Sequence, residues 1–175
     1  MSEASHGGHA LAGALDGLYR ACIWIAGIAI VLMSAIIPAG VFMRYVLGFG
    51  AQWPEPIAIL LMMLFTFIGA AAAYRAGGHI AVAMLTDRLP APAQRLAARA
   101  VDLLMLLLCG FVLLYGSRLC WDTLGQSVAE LPWLPVGVTY AAIPLGALAT
   151  LVFVLERMVF GPQQHRALLR LGDSG

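Results

Sequence analysis

Charged residues are so sparse along this chain that the apolar runs between them define its elements. Four runs hold no Asp, Glu, Lys or Arg: Ala21–Met43 (23 residues), Pro56–Tyr74 (19), Leu103–Ser117 (15) and Leu131–Leu155 (25). A helix crossing roughly 30 Å of hydrocarbon needs about 20 apolar residues at about 1.5 Å rise each. The first two runs meet that length or nearly so. The third meets it once Arg99, Asp102 and Arg118 reach toward the headgroups, which lengthens the predicted helix to about 96–121. The fourth opens with Leu-Pro-Trp-Leu-Pro, and its helix is expected to begin at Pro135, where a missing N–H loses no intrahelical bond. The pattern predicts an all-α integral membrane protein with four transmembrane helices, at about 21–43, 56–75, 96–121 and 135–156.

Composition agrees. The 175 residues are 62% hydrophobic and 11% charged, whereas soluble domains carry about 25% charge. That excludes a disordered chain and a soluble enzyme of ordinary composition. The first run exceeds the roughly 7–15 apolar residues of a signal peptide and ends at Arg44, so it is expected to stay as an anchor. The net charge of +1 predicts no nucleic-acid partner, but the placement of charge is informative. Eight of the ten arginines fall in the N-terminal segment, the second connection and the C-terminal tail, and two (Arg44, Arg118) in the first and third connections. By the positive-inside rule both termini are cytoplasmic. Tails at 1–19 and 159–175 then flank a membrane domain at 20–158. No segment is long enough for a separate soluble domain. The second connection reads as partly helical from Pro90 and Pro92, extending the third helix with its arginines either near anionic membrane lipids or on a purely solvated face.

An ionisable group deep in a span marks function, and here such groups occur only near span ends. His6, His9, His79 and His165 lie in tails or a connection, which leaves haem or metal without ligands at membrane depth. Cys22, Cys109 and Cys120 have no metal-ligand spacing and read as apolar packing residues. Ser34 and Ser117 lack the partners of an intramembrane protease, and Gly77-Gly78 is a turn without a phosphate-binding motif. No catalytic residue, cofactor or metal is expected, and the chain is not read as an enzyme. Small residues four apart (Ala35/Ala39, Gly69/Ala73, Ala142/Gly146/Thr150) suit close helix packing, while Pro38 and Pro144 are expected to bend their helices.

Three clusters stand at the span ends. Arg44-Tyr45 is followed by Trp53-Pro54-Glu55, with Arg44 and Glu55 able to pair across a short connection. Gly69-Ala70-Ala71 leads to Arg75-Ala76-Gly77-Gly78-His79-Ile80 and then Asp87-Arg88-Leu89-Pro90. Gly125-Gln126-Ser127 precedes Pro135, Gly137, Tyr140, Pro144 and Gly146. In order and spacing these resemble the small membrane subunit (Q type) of tripartite ATP-independent periplasmic (TRAP) transporters, from roughly Leu18 to Met158. Two departures are visible: Pro56 stands where the family often has a second carboxylate, and Ala83 where it often has Asp.

The resemblance implies a bacterial inner-membrane protein whose partners are a large membrane subunit and, transiently, a periplasmic substrate-binding protein. The large subunit would carry the substrate and ion sites for an organic anion, and this chain would be a non-catalytic scaffold. Arg44, Tyr45, Trp53, Glu55, Gly69, Arg75, Gly77, His79, Asp87, Pro90, Pro135, Gly137, Tyr140, Pro144 and Gly146 are then candidate interface or structural residues. A redox-complex anchor and a self-sufficient small transporter are the competing classes. Glu55 is held beside two prolines and Trp53, and Glu55→Ala is expected to reduce uptake or complex yield more than Glu156→Ala at the cytoplasmic end of the fourth helix.

Overall fold

The computed structural model describes residues 3–48, 50, 52–77 and 90–160, with the side chains of 3–11, 91, 92, 95 and 160 left aside. The elements in chain order are α1 (Glu3–Tyr45), α2 (Pro54–Arg75), α3 (Ala91–Thr123), β1 (Ser127–Val128), β2 (Leu131–Pro135), α4 (Val136–Tyr140) and α5 (Ala142–Phe160). Among the described residues four helical segments are long and apolar enough to cross a membrane: Ala12–Tyr45, Pro54–Arg75, Leu96–Thr123 and Val136–Val159.

Two helices run well past the predicted spans. α1 has 43 residues, about 64 Å of helix, and starts at Glu3 rather than near Ala21. The charges at Asp16 and Arg20 end the apolar run, yet a charge on one face does not stop a helix. α3 starts at Ala91, with Pro90 at its N-cap in an extended conformation, so the expected extension of the third helix is continuous with the span. α2 opens on Pro54, where a missing N–H is harmless, and carries Glu55 in its first turn and Arg75 in its last. Both charges suit the helix dipole.

The fold is not purely helical. β1 and β2 pair antiparallel between α3 and α4, with Ser127 opposite Pro135, and Val136 N–H donates to the Gln126 carbonyl at 2.8 Å. Pro132 and Pro135 lack a ladder donor, which fits a minimal two-stranded edge. Leu131 and Leu134 turn inward while Trp133 stays exposed. The fourth span is also interrupted: α4 ends at Tyr140 and α5 begins at Ala142, because Pro144 has no N–H to donate to the Tyr140 carbonyl. Pro144 therefore breaks the span near its start, whereas α1 continues as one helix through Pro38.

The principal helix contacts are α1–α2, α2–α5 and α5–α3, so the helices stand in a row with α2 and α5 in the middle. Buried fractions of the apolar windows follow that order: 28% for α2 and 33% for the fourth span, against 11% for α1 and 6% for α3. Cys22, Ile68, Ala71, Ala72, Tyr74, Ala149, Phe153 and Val154 form the core, flanked by Met105 and Leu106 of α3. It lies toward the end of the bundle where α2 terminates.

Candidate functional site: a charged cluster joining four helices

Gly77 adopts φ 80° just after α2, a left-handed conformation that ends the helix and leaves Arg75 in its final turn. From there Arg75 points into the bundle. Its Nε donates to Glu156 Oε2 at 2.8 Å and its Nη2 to Glu156 Oε1 at 2.7 Å, a two-point fork between α2 and α5. The same Nη2 donates to Asp16 Oδ1 of α1 at 2.8 Å. The side chains of Arg75 and Glu156 are only 7% and 6% exposed, and that of Asp16 29%. The guanidinium carbon lies 5.2 Å from the ring centre of Tyr19 and 5.3 Å from that of Phe153, so aromatic faces enclose the cation.

A second pair lies nearby. Arg157 Nε of α5 is 3.4 Å from Asp102 Oδ1 of α3, an ionic contact without hydrogen-bond alignment, and the Arg157 guanidinium sits over the Tyr74 ring at 5.9 Å. Three carboxylates and two guanidinium groups thus bind all four long helices at one end. Sequence reasoning singled out Arg75 but not Asp16, Asp102, Glu156 or Arg157. One signal was available for Glu156. A carboxylate in the last turn of a helix opposes the dipole, which calls for a cationic partner from elsewhere.

The remaining candidate residues distribute along the molecule. At the opposite end of α2, about 30 Å away by helical rise, Arg44 Nη2 donates to Glu55 Oε1 at 3.1 Å, with side chains 48% and 70% exposed. Tyr45 and Trp53 are exposed beside them. A cavity of about 360 Å³ opens between α1 and α2 next to this pair. Another of about 240 Å³ lies between α2 and the hairpin, lined by Glu55, Glu130, Thr139 and Tyr140. Gly146 and Gly137 are close-packing positions. A Cβ at Gly146 would fall 2.6 Å from Phe67 Cβ of α2, and one at Gly137 would fall 2.5 Å from the Cys120 carbonyl oxygen of α3. A Cβ at Gly69 would meet Ala26 of α1 at an ordinary 3.6 Å, while Pro144 lies against Gly116 of α3. Of the small-residue rows, Ala142, Gly146 and Thr150 are buried, but Ala35, Ala39 and Ala73 are exposed. Pro90 and Pro135 cap α3 and α4. His79 and Asp87 lie outside the described residues. Among the described residues no group of three or more His, Cys, Asp or Glu is placed to hold a metal ion.

A family model of the DctQ component of tripartite ATP-independent periplasmic transporters matches residues 33–161. The chain belongs to the DctQ family. This DctQ chain is 27% identical to a putative TRAP transporter small permease protein of Haemophilus influenzae, over 73% of its own length and 79% of that protein. It is 28% identical to the ectoine TRAP transporter small permease protein TeaB of Halomonas elongata, over 72% of its length and 66% of the relative's. It is also 28% identical to the uncharacterized protein y4mM of Sinorhizobium fredii, over 99% of its length but 33% of that longer chain. The DctQ match contains Arg75, Asp102, Glu156 and Arg157, whereas Asp16 lies before it. The family makes this chain a small, multi-pass membrane component of a TRAP transporter. It implies association with a large membrane subunit and a binding protein.

Proposed function

We propose that this DctQ subunit is the stationary, non-enzymatic scaffold of an ion-gradient-driven importer of an organic anion, most simply a carboxylate. The reading rests on how the chain spends its charges. The Arg75–Glu156–Asp16 and Arg157–Asp102 groups set three carboxylates against two guanidinium groups within the subunit, and the helical runs between the span ends carry no charge. Such a row of helices offers no polar site at mid-depth for a solute or coupling ion. It offers instead broad apolar faces on α1 and α3, suited to enlarging the belt that holds a large subunit still while its transport domain moves. The arginine asymmetry favours cytoplasmic termini in the bacterial inner membrane, which puts the Arg75 cluster at the cytoplasmic end and the Arg44–Glu55 end on the periplasmic side, facing the binding protein. One relative is named for ectoine; here the choice of substrate is assigned to the partner chains.

The test is uptake of labelled carboxylate into cells or proteoliposomes holding the large subunit and binding protein, with and without this chain. Loss of uptake without it is expected. Undiminished uptake, or ion-coupled flux through this chain alone, overturns the reading.

A further inference from the structure

The cavity beside Arg44 combines apolar walls with a charged rim. Ile37 and Val41 of α1 and Ala58 and Ile59 of α2 form its walls, and Arg44 and Glu55 stand at its rim. From Ile37 to Arg44 the helical rise is about 10 Å, so the walls lie within the apolar run and the charged rim lies at its end. α1 and α2 touch at Gly40, where a Cβ would come within 2.8 Å of Pro54 Cβ. That contact fixes the spacing of the two helices beside the cavity. The volume, about 360 Å³, is in the range of small-molecule sites, about 300–1,000 Å³.

The rim carries one charge of each sign. Arg44 has a single hydrogen-bond partner among the described residues, Glu55, and both side chains keep roughly half or more of their surface open. The guanidinium thus retains donors for a phosphodiester, and the carboxylate retains acceptors for an ammonium. An apolar groove at the end of a membrane span, with a cation and an anion side by side at its mouth, matches a zwitterionic lipid in both parts. We propose that the α1–α2 groove binds a phospholipid whose headgroup carries a primary ammonium, with the upper acyl chain between Ile37, Val41, Ala58 and Ile59. Its phosphate rests on Arg44 and its ammonium on Glu55. An anionic lipid would satisfy Arg44 but meet repulsion from Glu55, so the pair selects by headgroup charge.

The test uses the full chain in nanodiscs of equimolar phosphatidylethanolamine and phosphatidylglycerol, followed by detergent release and native mass spectrometry of retained lipid. The expected result is preferential retention of the ethanolamine lipid. That retention is lost in Val41→Trp and in Ala58→Leu, which fill the groove, but kept in Leu108→Trp on the exposed face of α3. Glu55→Gln should keep lipid and lose the headgroup preference. Helix content by circular dichroism identifies any variant that fails to fold, and two independent filling variants guard against that failure. Equal retention in the filled variants and wild type overturns the proposal, as does equal retention of both lipids by the wild type. This outcome is independent of transport, so it leaves the scaffold reading separately testable.

Discussion

Arg75 and Glu156, 81 positions apart in the chain, meet in a two-point ion pair of 2.7 and 2.8 Å with both side chains buried. The contact joins the two central helices of the row, and Asp16 adds α1 to the same guanidinium. A buried pair of this kind is weak evidence for net stabilisation against an apolar replacement, yet breaking it leaves an uncompensated charge.

Removing one partner should therefore be severe. Glu156→Ala and Arg75→Ala are each expected to lower stability by about 3–5 kcal/mol, with the double variant falling well short of the sum. Thermal unfolding of the four species in one detergent gives the coupling energy; additive losses would show that the two residues act separately.

Arg75→Lys keeps the charge but cannot reproduce the fork or lie flat between Tyr19 and Phe153. A loss of about 1–2 kcal/mol is expected, intermediate between wild type and Arg75→Ala. The same melting assay checks it, and a wild-type value for Arg75→Lys would reduce the site to a simple charge contact.

For stability, burial ranks the two glutamates in the opposite order to the one expected for uptake. Glu55 is 70% exposed in its pair with Arg44 while Glu156 is 6% exposed. Glu55→Ala should change stability by about 0–1 kcal/mol, far less than Glu156→Ala. A larger effect of Glu55→Ala on uptake than on melting would assign Glu55 to an encounter with a partner.

Two glycines provide a packing test. Gly146→Leu would drive a side chain into the Phe67 backbone, whose carbonyl carbon and oxygen lie 2.7 Å from a built Cβ. A penalty of about 1–3 kcal/mol is expected, with weaker α2–α5 cross-linking. Gly110→Ala on α3 meets nothing within 4 Å and should be neutral or stabilise by about 0.5–1 kcal/mol through helix propensity. Equal behaviour of the two variants would contradict the close approach of α2 and α5.

The sequence by itself determined the number of long helices and their approximate placement, because a span of fixed thickness demands an uncharged run of fixed length. It also placed the second helix at about 56–75, within two residues of the observed Pro54–Arg75, since Pro54 and Gly77 act on backbone geometry locally. The proximity of Arg44 and Glu55 was legible for a similar reason, because only a short connection separates them. Three things were decided by the tertiary structure. α1 extends back to Glu3, the 127–135 segment pairs as strands, and α5 enters between α2 and α3. The last of these creates the charged cluster. Asp16, Arg75, Asp102 and Glu156 each look like an ordinary span-end charge in one dimension, and only the lateral order of the helices brings them together. Hydrophobic periodicity specifies that a helix is buried in lipid, not which neighbour it touches; that choice rests on close packing, as at Gly146 against Phe67, and on pairing charges that no single helix can satisfy alone.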